Sequence, residues 1–182
     1  MKFTPLDIPE VILIEAQVFE DQRGFFLESY HRERFAEAGL AADFVQDNHS
    51  RSRRDSLRGL HYQIRQPQGK LVRVIVGEVY DVAVDLRRSS PTFGRWIGCN
   101  LSAQEKKQLW IPPGFAHGFC VQSEWAEVLY KVTDYYAPQW ERTLLWNDPS
   151  CHIHWPLPAG QPPLLSAKDA AGKPLSEAET YP

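Results

Sequence analysis

In the segment from residue 79 to residue 86, four large apolar side chains recur with a period of two. These four share one face, and two aspartates, Asp81 and Asp85, share the opposite face. A period of two is that of an extended strand whose two faces meet different surroundings. The segment is therefore predicted to be a β-strand. The four side chains of the apolar face are Tyr80, Val82, Val84 and Leu86.

Short segments of strand-like composition recur along the chain, and turn residues separate them. The connection Gly77-Glu78 fits a tight hairpin between two of these segments. Many short strands and one early helix indicate an all-β protein, an antiparallel sandwich or barrel. The predicted strands cover residues 11–14 and 18–19, 25–30, 44–50, 70–76, 79–86, 96–101, 108–111, 115–121 and 127–133.

Three other segments have a different character. Residues 30–40 are predicted to be a helix, with Phe35 on its apolar side and Gly39 placed to end it. Residues 51–55 have the composition of a charged loop. Beyond Trp155 the chain becomes rich in proline, and we expect an irregular segment there.

Length, charge and cysteine content restrict the class of protein. A chain of 182 residues is predicted to form one domain over residues 1–182. Its net charge of −3 argues against nucleic-acid binding. No apolar run approaches the ~20 residues that span a bilayer, and the first residues lack a signal-peptide core. Three widely spaced cysteines, Cys99, Cys120 and Cys151, predict reduced thiols in a cytoplasmic protein.

The histidines give a partial signal for a metal site. Residues 112–117 match the P-x-G-x-x-H pattern of the second cupin motif, which ends at His117. A metal-binding cupin also has an H-x-H pair early in the chain, but a glutamine stands two positions after His61. The pair His152 and His154 lies late in the chain between two prolines, in a segment that is predicted to be a loop. Because a closed metal site needs three or four ligands, we expect the cupin fold without a bound metal.

Two side chains could perform acid–base chemistry. His61 is a candidate general base because an imidazole is largely neutral near pH 7, and it would need a carboxylate to orient it. Asp81, Asp85 and Asp169 are the candidates for that carboxylate, and the alternative is a half-buried histidine with no catalytic role. Tyr130, between two valines, is either a core tyrosine or a general acid.

Cationic and amide side chains suggest a phosphorylated ligand. Lys70 is either a solvated lysine or a cation that faces a developing oxyanion. Arg23 and Arg58 each precede a glycine, which either serves a turn or lets a phosphate approach the backbone. Gln46 and Asn48 point to the same side of a strand, where they could contact a base or a sugar.

Several segments resemble the dTDP-4-dehydrorhamnose 3,5-epimerase family, and they follow one another in order over nearly the whole chain. The segments that carry the resemblance are 23–28 (RGFFLE), 46–50 (QDNHS), 57–63 (LRGLHYQ), 69–74 (GKLVRV), 77–87 (GEVYDVAVDLR), 112–119 (PPGFAHGF), 128–131 (VLYK), 134–136 (DYY) and 165–169 (LSAKD).

This resemblance implies a cupin-like double-stranded β-helix jelly roll that forms a homodimer and uses no metal or cofactor. The implied substrate is dTDP-4-dehydro-6-deoxy-D-glucose and the implied product dTDP-4-dehydro-β-L-rhamnose. It also implies that His61 is the base, oriented by Asp169, that Tyr130 is the acid and that Lys70 faces the C4 oxygen. The implied nucleotide-sugar contacts, some of them made across the dimer, are Arg23, Glu28, Gln46, Asp47, Asn48, Arg58, His117, Glu141 and Lys168.

The chemistry requires a base, an acid and a cation. Protons at C3 and C5 flank the C4 ketone, so their removal leaves an enolate that an ammonium can stabilise. Returning a proton on the opposite face inverts the carbon. Arg58 and His61 are three positions apart, which strict alternation puts on opposite faces. If both contact one ligand, we expect a bulge or a late strand start at Gly59.

Three alternatives remain open at this point. A mono-epimerase, acting at C3 or C5 alone on a related dTDP-4-keto sugar, would share most of these motifs. A metal-dependent cupin oxygenase is disfavoured by the missing H-x-H pair. A non-catalytic module that binds sugar nucleotides would bind dTDP without proton exchange, and the presence of all three chemical groups disfavours it.

Overall fold

The computed structural model describes residues 1–182, and antiparallel β-strands dominate it. Two short helices accompany the strands: α1 (Arg32–Glu37) and α2 (Ala167–Ala170). The strands are β1 (Lys2–Pro5), β2 (Ile12–Glu15), β3 (Val18–Asp21), β4 (Gly24–Leu27), β5 (Gln46–Arg53), β6 (Leu57–Gln63), β7 (Lys70–Val76), β8 (Glu78–Asp85), β9 (Trp96–Ser102), β10 (Lys107–Ile111), β11 (Phe115–Val121), β12 (Trp125–Val132) and β13 (Glu141–Thr143).

Two sheets form a cupin-like jelly roll. One sheet has the strand order β1-β2-β10-β7-β12-β5 and the other β13-β6-β11-β8-β9, while β3 and β4 form a separate two-stranded hairpin. Apolar side chains from both sheets, among them Val72, Val128, Ala83 and Phe119, pack into one buried cluster between them. This architecture confirms the all-β jelly-roll prediction.

Both outer sheet faces are covered as well. The alternation in β8 is confirmed, but its apolar side chains Val82 and Val84 point away from the space between the sheets. They pack beneath the C-terminal part of the chain, against Leu144 and Cys151. On the other sheet, Phe35 of α1 packs with three other buried side chains. The aspartates of β8 consequently face the interior, where a polar site can form.

The predicted hairpin between β7 and β8 is wrong, because these two strands belong to different sheets. β7 pairs with β10 and β12, whereas β8 pairs with β9 and β11. Gly77 has a φ of 74°, and a Cβ there would lie 2.0 Å from the Trp125 carbonyl oxygen. A tight connection therefore carries the chain from one sheet to the other, and its length alone does not distinguish this from a hairpin.

Other element boundaries also differ from those predicted, and the strand predicted over residues 25–30 ends at Leu27. The helix predicted over residues 30–40 covers only Arg32–Glu37. Tyr30 and Leu40, at the ends of the predicted range, pack beside Phe35 from outside the helix. Strand β5 continues through Arg53, paired with β12, where a charged loop was expected from residue 51. β5 is an edge strand, a position that charged side chains suit. Neither helix has the length and apolar character that crossing a bilayer requires.

Candidate active site

A polar cavity of about 340 Å³ opens between the two sheets. Strands of both sheets contribute to its wall, and most of the lining side chains can form hydrogen bonds. They include nine of the residues that the sequence predicts for the site, and these nine lie on β5, β6, β7, β11, β12, β13 and α2. The lining is Gln46, Asn48, Ser50, Arg58, His61, Tyr62, Gln63, Gln68, Lys70, His117, Gly118, Phe119, Tyr130, Tyr136, Glu141 and Lys168.

His61 lies on β6 with its Nε2 atom 2.6 Å from Oδ1 of Asp169. The same oxygen accepts a hydrogen bond from the Gly59 N–H, and Oδ2 accepts one from the Ser166 hydroxyl. Burial by itself raises the pKa of Asp169, but these hydrogen bonds and the nearby imidazole lower it to about 2. Of the three aspartates that the sequence left open as partners of His61, the structure selects Asp169.

A bulge brings Arg58 and His61 to the same cavity. His117 of β11 lies opposite His61, but Phe119, two residues later, lies opposite Arg58, three residues earlier on β6. β6 therefore holds one extra residue. It is accommodated at Gly59, where φ is 111° and a Cβ would lie 2.6 Å from the His117 carbonyl oxygen. The predicted irregularity is confirmed.

Tyr130 enters the cavity from the opposite sheet, on β12. Its neighbours across the ladder are Asn48 on β5 and Val72 on β7, and its ring packs against the cluster between the sheets. Burial raises the pKa of Tyr130, against the opposing charge of Arg58. The phenol is thus held protonated, in the form that can donate a proton.

Lys70 is the buried cation of the cavity, with 8% of its surface exposed. Its Nζ atom donates a hydrogen bond to the backbone carbonyl of His61 at 3.3 Å. Burial lowers the pKa of Lys70 to about 8. The ammonium is therefore charged near neutral pH but poorly solvated, which strengthens its attraction to any negative charge that develops nearby.

A second histidine–carboxylate pair lies beside the first. His117 is buried, and its Nε2 atom is 2.9 and 3.0 Å from the two carboxylate oxygens of Asp81. Burial lowers the pKa of His117, and the charge of Lys70 acts in the same direction, against that of Asp81. We therefore describe His117 as a neutral imidazole.

Amide and charged side chains surround the mouth of the cavity. Gln46 donates to the Asn48 side chain at 2.8 Å and accepts from the backbone N–H of Tyr136 at 3.0 Å. Glu141 accepts hydrogen bonds from Lys168 at 2.8 Å and from the Tyr136 hydroxyl at 2.9 Å. These contacts leave a rim of donors and acceptors suited to a polar, anionic ligand.

Three residues of the predicted binding set lie outside the cavity in this chain. Arg23 is on the turn between β3 and β4, where it pairs with Asp21 and its side chain is 90% exposed. Glu28 pairs with Arg34. Asp47 points to the outer face of β5 and pairs with Lys131. Their part in ligand binding stays a prediction.

Sequence reasoning missed some of the lining residues. Ser50 continues the alternation of Gln46 and Asn48 along β5, and that spacing could have revealed it. Tyr136 and Gln68 follow strand ends, where no periodicity operates. Gln63 is buried, and its side-chain amide forms hydrogen bonds with the backbone of the loop that carries Tyr136. No pattern in the sequence signals such a contact.

The His, Cys, Asp and Glu side chains nowhere gather in groups of three or more that could hold a metal ion. In the cavity, each histidine instead directs its Nε2 atom to one aspartate. The fold and the cavity together define the class: a jelly-roll protein equipped for acid–base chemistry on a small polar ligand.

Comparison with known proteins narrows this class to one family. The family model described as dTDP-4-dehydrorhamnose 3,5-epimerase matches residues 5–177. The dTDP-4-dehydrorhamnose 3,5-epimerase of Pseudomonas aeruginosa is 62% identical over the full length of both chains. The chain belongs to the dTDP-4-dehydrorhamnose 3,5-epimerase family.

Solved structures agree with this assignment. The dTDP-6-deoxy-D-glucose-3,5-epimerase of Legionella pneumophila, in complex with dTDP-4-keto-L-rhamnose, has a TM-score of 0.94 at 51% identity, covering 98% of this chain and 94% of that one. ChmJ, a 3′-monoepimerase from Streptomyces bikiniensis in complex with dTDP-quinovose, has a TM-score of 0.88 at 32% identity, covering 95% of this chain and 87% of that one.

Proposed function

We propose that this protein converts dTDP-4-dehydro-6-deoxy-D-glucose to dTDP-4-dehydro-β-L-rhamnose by inverting C3 and C5. The observation that carries the proposal is the meeting of His61, Lys70 and Tyr130 in one cavity, with Asp169 behind His61. The family to which the chain belongs and the ligand of the Legionella relative support the same substrate class.

His61 is the proposed base. When Nε2–H donates to Asp169, the other ring nitrogen, Nδ1, is left as the basic atom. Asp169 keeps its negative charge throughout the neutral pH range and stabilises the imidazolium that forms. The pair can therefore remove the proton at C3 or C5, which is acidified by the neighbouring C4 ketone.

Lys70 is the proposed stabiliser of the enolate. Removal of either proton moves negative charge onto the C4 oxygen, and an ammonium there interacts more strongly with the enolate than with the neutral ketone. Because Lys70 is buried, this interaction is weakly screened. The proposed reaction transfers protons only, and a base, an acid and a cation among the side chains provide that chemistry.

Tyr130 is the proposed acid on the opposite side of the sugar. His61 belongs to the sheet that contains β6, and Tyr130 belongs to the facing sheet that contains β12. A sugar ring held between the sheets would meet one group on each face. Inversion requires a proton to leave one face and to arrive at the other, and this placement supports that division of roles.

The remaining predicted residues are the proposed contacts of the dTDP group. Arg58 donates through Nε to the Ser52 hydroxyl at 2.8 Å and through one Nη atom to the Arg51 carbonyl at 3.4 Å, which leaves its other N–H groups for phosphate oxygens. Gln46, Asn48, His117, Glu141 and Lys168 line the same cavity. We propose that they hold the nucleotide and sugar.

We further propose that residues 1–182 act as one catalytic domain in a homodimer. The β3–β4 hairpin stands apart from both main sheets and exposes the aromatic side chains of Phe19, Phe25 and Phe26. A second copy of the chain would cover these rings, and it would offer Arg23 and Glu28 a cavity to enter. The coarser statement, that family members act on dTDP-sugars, does not depend on this arrangement.

A mono-epimerase is the second candidate function, because the 3′-monoepimerase ChmJ shares the fold at a TM-score of 0.88. Incubating the purified protein with dTDP-4-dehydro-6-deoxy-D-glucose and recording proton NMR spectra of the product distinguishes the two. Inversion at both carbons supports the 3,5-epimerase. Inversion at one carbon supports the mono-epimerase, and an unchanged sugar with bound nucleotide supports a binding module.

A further inference from the structure

A buried carboxylate and a buried ammonium share the space between the sheets, and neither is satisfied by its hydrogen bonds. Asp81 is completely buried, and its hydrogen-bond partner is His117 Nε2 alone. Lys70 is almost as deeply buried and donates only to the His61 carbonyl. Each charge therefore lacks the partners that a buried ion needs to offset its lost hydration.

Asp81 differs in this respect from the other buried aspartates of the site and of β8. Asp85 accepts two hydrogen bonds from the Arg87 guanidinium and one from the Thr92 hydroxyl. Asp169 accepts from three separate groups. Asp81 has one neutral imidazole, so its negative charge must be balanced from elsewhere in the interior.

Lys70 is a buried cation that enters the same interior from the facing sheet. Asp81 shares the inner face of β8 with Val79 and Ala83, and Lys70 shares the inner face of β7 with Val72; all three apolar residues belong to the cluster between the sheets. The two charges thus point from opposite sheets into one interior. Burial lowers the pKa of Lys70, and the charge of Asp81 is the largest influence that opposes this.

Other charged and titratable groups surround Lys70, but they do not replace Asp81. Glu141 on β13 raises the pKa of Lys70 and Lys168 on α2 lowers it. These two side chains form an ion pair at 2.8 Å, so their effects largely offset each other. His61, His117 and Tyr130 complete the lining around the ammonium, and the last two are held in their neutral forms.

We propose that Asp81 is a positioning residue whose carboxylate keeps the Lys70 ammonium protonated and holds His117 with Nε2–H directed toward it. The inference rests on the proposed function only where it gives Lys70 a role at the C4 oxygen. A neutral amine at position 70 would not attract an enolate. Asp81 would therefore set the upper pH limit of the reaction without touching the substrate.

The test is the titration of Lys70 in protein labelled with 13C at the lysine ε-carbons, the Lys70 signal being assigned by its loss in Lys70→Arg. Asp81→Asn keeps an acceptor for His117 but removes the charge. We expect Lys70 to titrate about one pH unit lower in Asp81→Asn. Glu141→Gln is the matched comparison and should shift Lys70 less. An unchanged titration in folded Asp81→Asn would overturn the proposal.

Activity gives a separate readout. In Asp81→Asn the alkaline limb of the pH dependence of kcat should move down with Lys70, so turnover at pH 8 falls about fivefold for a one-unit shift. A uniform loss at all pH values would indicate a merely structural role. The lysine titration requires no turnover, so it tests the Asp81–Lys70 pair even if the proposed substrate is wrong. Product analysis of the unmodified protein tests the proposed substrate and reaction separately.

Unfolding in urea provides the test if Asp81→Asn is too unstable for NMR. Lys70→Met leaves the Asp81 carboxylate without its proposed counter-charge. Asp81→Asn should therefore destabilise the protein less in the Lys70→Met background than in the wild type. Equal effects in both backgrounds would show that the two charges are not coupled and would overturn the proposal.

Discussion

His61 Nε2 and Asp169 Oδ1 lie 2.6 Å apart although 108 positions of sequence separate them. The C-terminal segment, which has little regular structure, folds back so that α2 places a carboxylate behind β6. The Ser166 side chain caps this helix by accepting from the Asp169 N–H and also donates to Asp169 Oδ2 at 2.7 Å. The carboxylate is therefore fixed in position before any ligand binds.

Asp169→Asn should lower kcat by ~10²-fold or more, the lower end of the range for a general base. The amide preserves the shape of the side chain but no longer favours the imidazolium that forms during proton removal. Affinity for dTDP should stay within a few-fold, because Asp169 does not line the cavity. Steady-state kinetics and calorimetric titration with dTDP measure the two effects. A large loss of dTDP affinity with unchanged kcat would contradict the assigned role.

Asp169 should also contribute to the pH dependence of stability. Its pKa in the folded protein is about 2, below the usual value of 3.8. A carboxyl group with a lowered pKa stabilises the folded state fully above its unfolded pKa, and this contribution is lost as the pH falls toward the folded pKa. The stability difference between wild type and Asp169→Asn should therefore shrink between about pH 4 and pH 2. Urea unfolding across this range measures it, and a constant difference would argue against the shift.

Tyr130→Phe should separate proton removal from inversion. The variant retains His61 and Lys70, so it can still form the enolate, but it lacks the donor on the opposite face. We expect solvent exchange of the sugar protons to persist while net epimerisation falls by ~10²-fold. NMR in D₂O follows both processes in one sample. Equal loss of exchange and inversion would count against a separate acid.

Gly59→Ala should disrupt the bulge that unites Arg58 and His61. The added methyl group would meet the His117 carbonyl oxygen at 2.6 Å, in a backbone conformation of φ 111°. We expect a loss of ~1–3 kcal/mol in stability together with loss of activity. Gly39→Ala, with φ 83° and nothing near the added atom, is the control for backbone strain alone. If both variants lose the same stability, the close approach at Gly59 is unimportant.

Phe25→Ser together with Phe26→Ser should weaken the proposed dimer. Both rings are exposed on the β3–β4 hairpin, and their removal from an interface would favour the monomer. Sedimentation velocity of the double variant should show a shift toward the monomer. Arg23→Ala, which leaves both rings in place, should raise KM because Arg23 is a proposed substrate contact. A Tyr135→Ser variant, which removes an exposed aromatic side chain outside the hairpin, is the control. A wild-type monomer with full activity would refute the arrangement.

The sequence predicts the strands of this fold better than their connections. A period of two depends on which side chains are buried, and it correctly indicates β8 and β12. The link at Gly77 looks like a hairpin locally, but its flanking strands already pair with distant strands. Strand partners in a jelly roll are far apart in sequence, so local turn chemistry does not determine them.

In the candidate site, too, features within one strand are predictable from the sequence, whereas contacts between distant segments are not. Gln46 and Asn48 were predicted to share one side because they lie on one strand, and the bulge at Gly59 was predicted from the need to join Arg58 and His61. From the residues alone, the partner of His61 stayed open among three aspartates, since no local pattern brings Asp169 to β6. Arg23 was predicted for the site but lies outside the cavity of a single chain, and sequence periodicity carries no information about a second copy.

The strongest single test is incubation of wild type and His61→Asn with dTDP-4-dehydro-6-deoxy-D-glucose in D₂O, with mass spectrometry and NMR of the sugar. The wild type should incorporate deuterium at both C3 and C5 and give the inverted product. His61→Asn, folded and able to bind dTDP, should incorporate none at either carbon. Deuterium incorporation by His61→Asn at the wild-type rate would mean that the base is elsewhere, and no incorporation by the wild type would refute the proposed reaction.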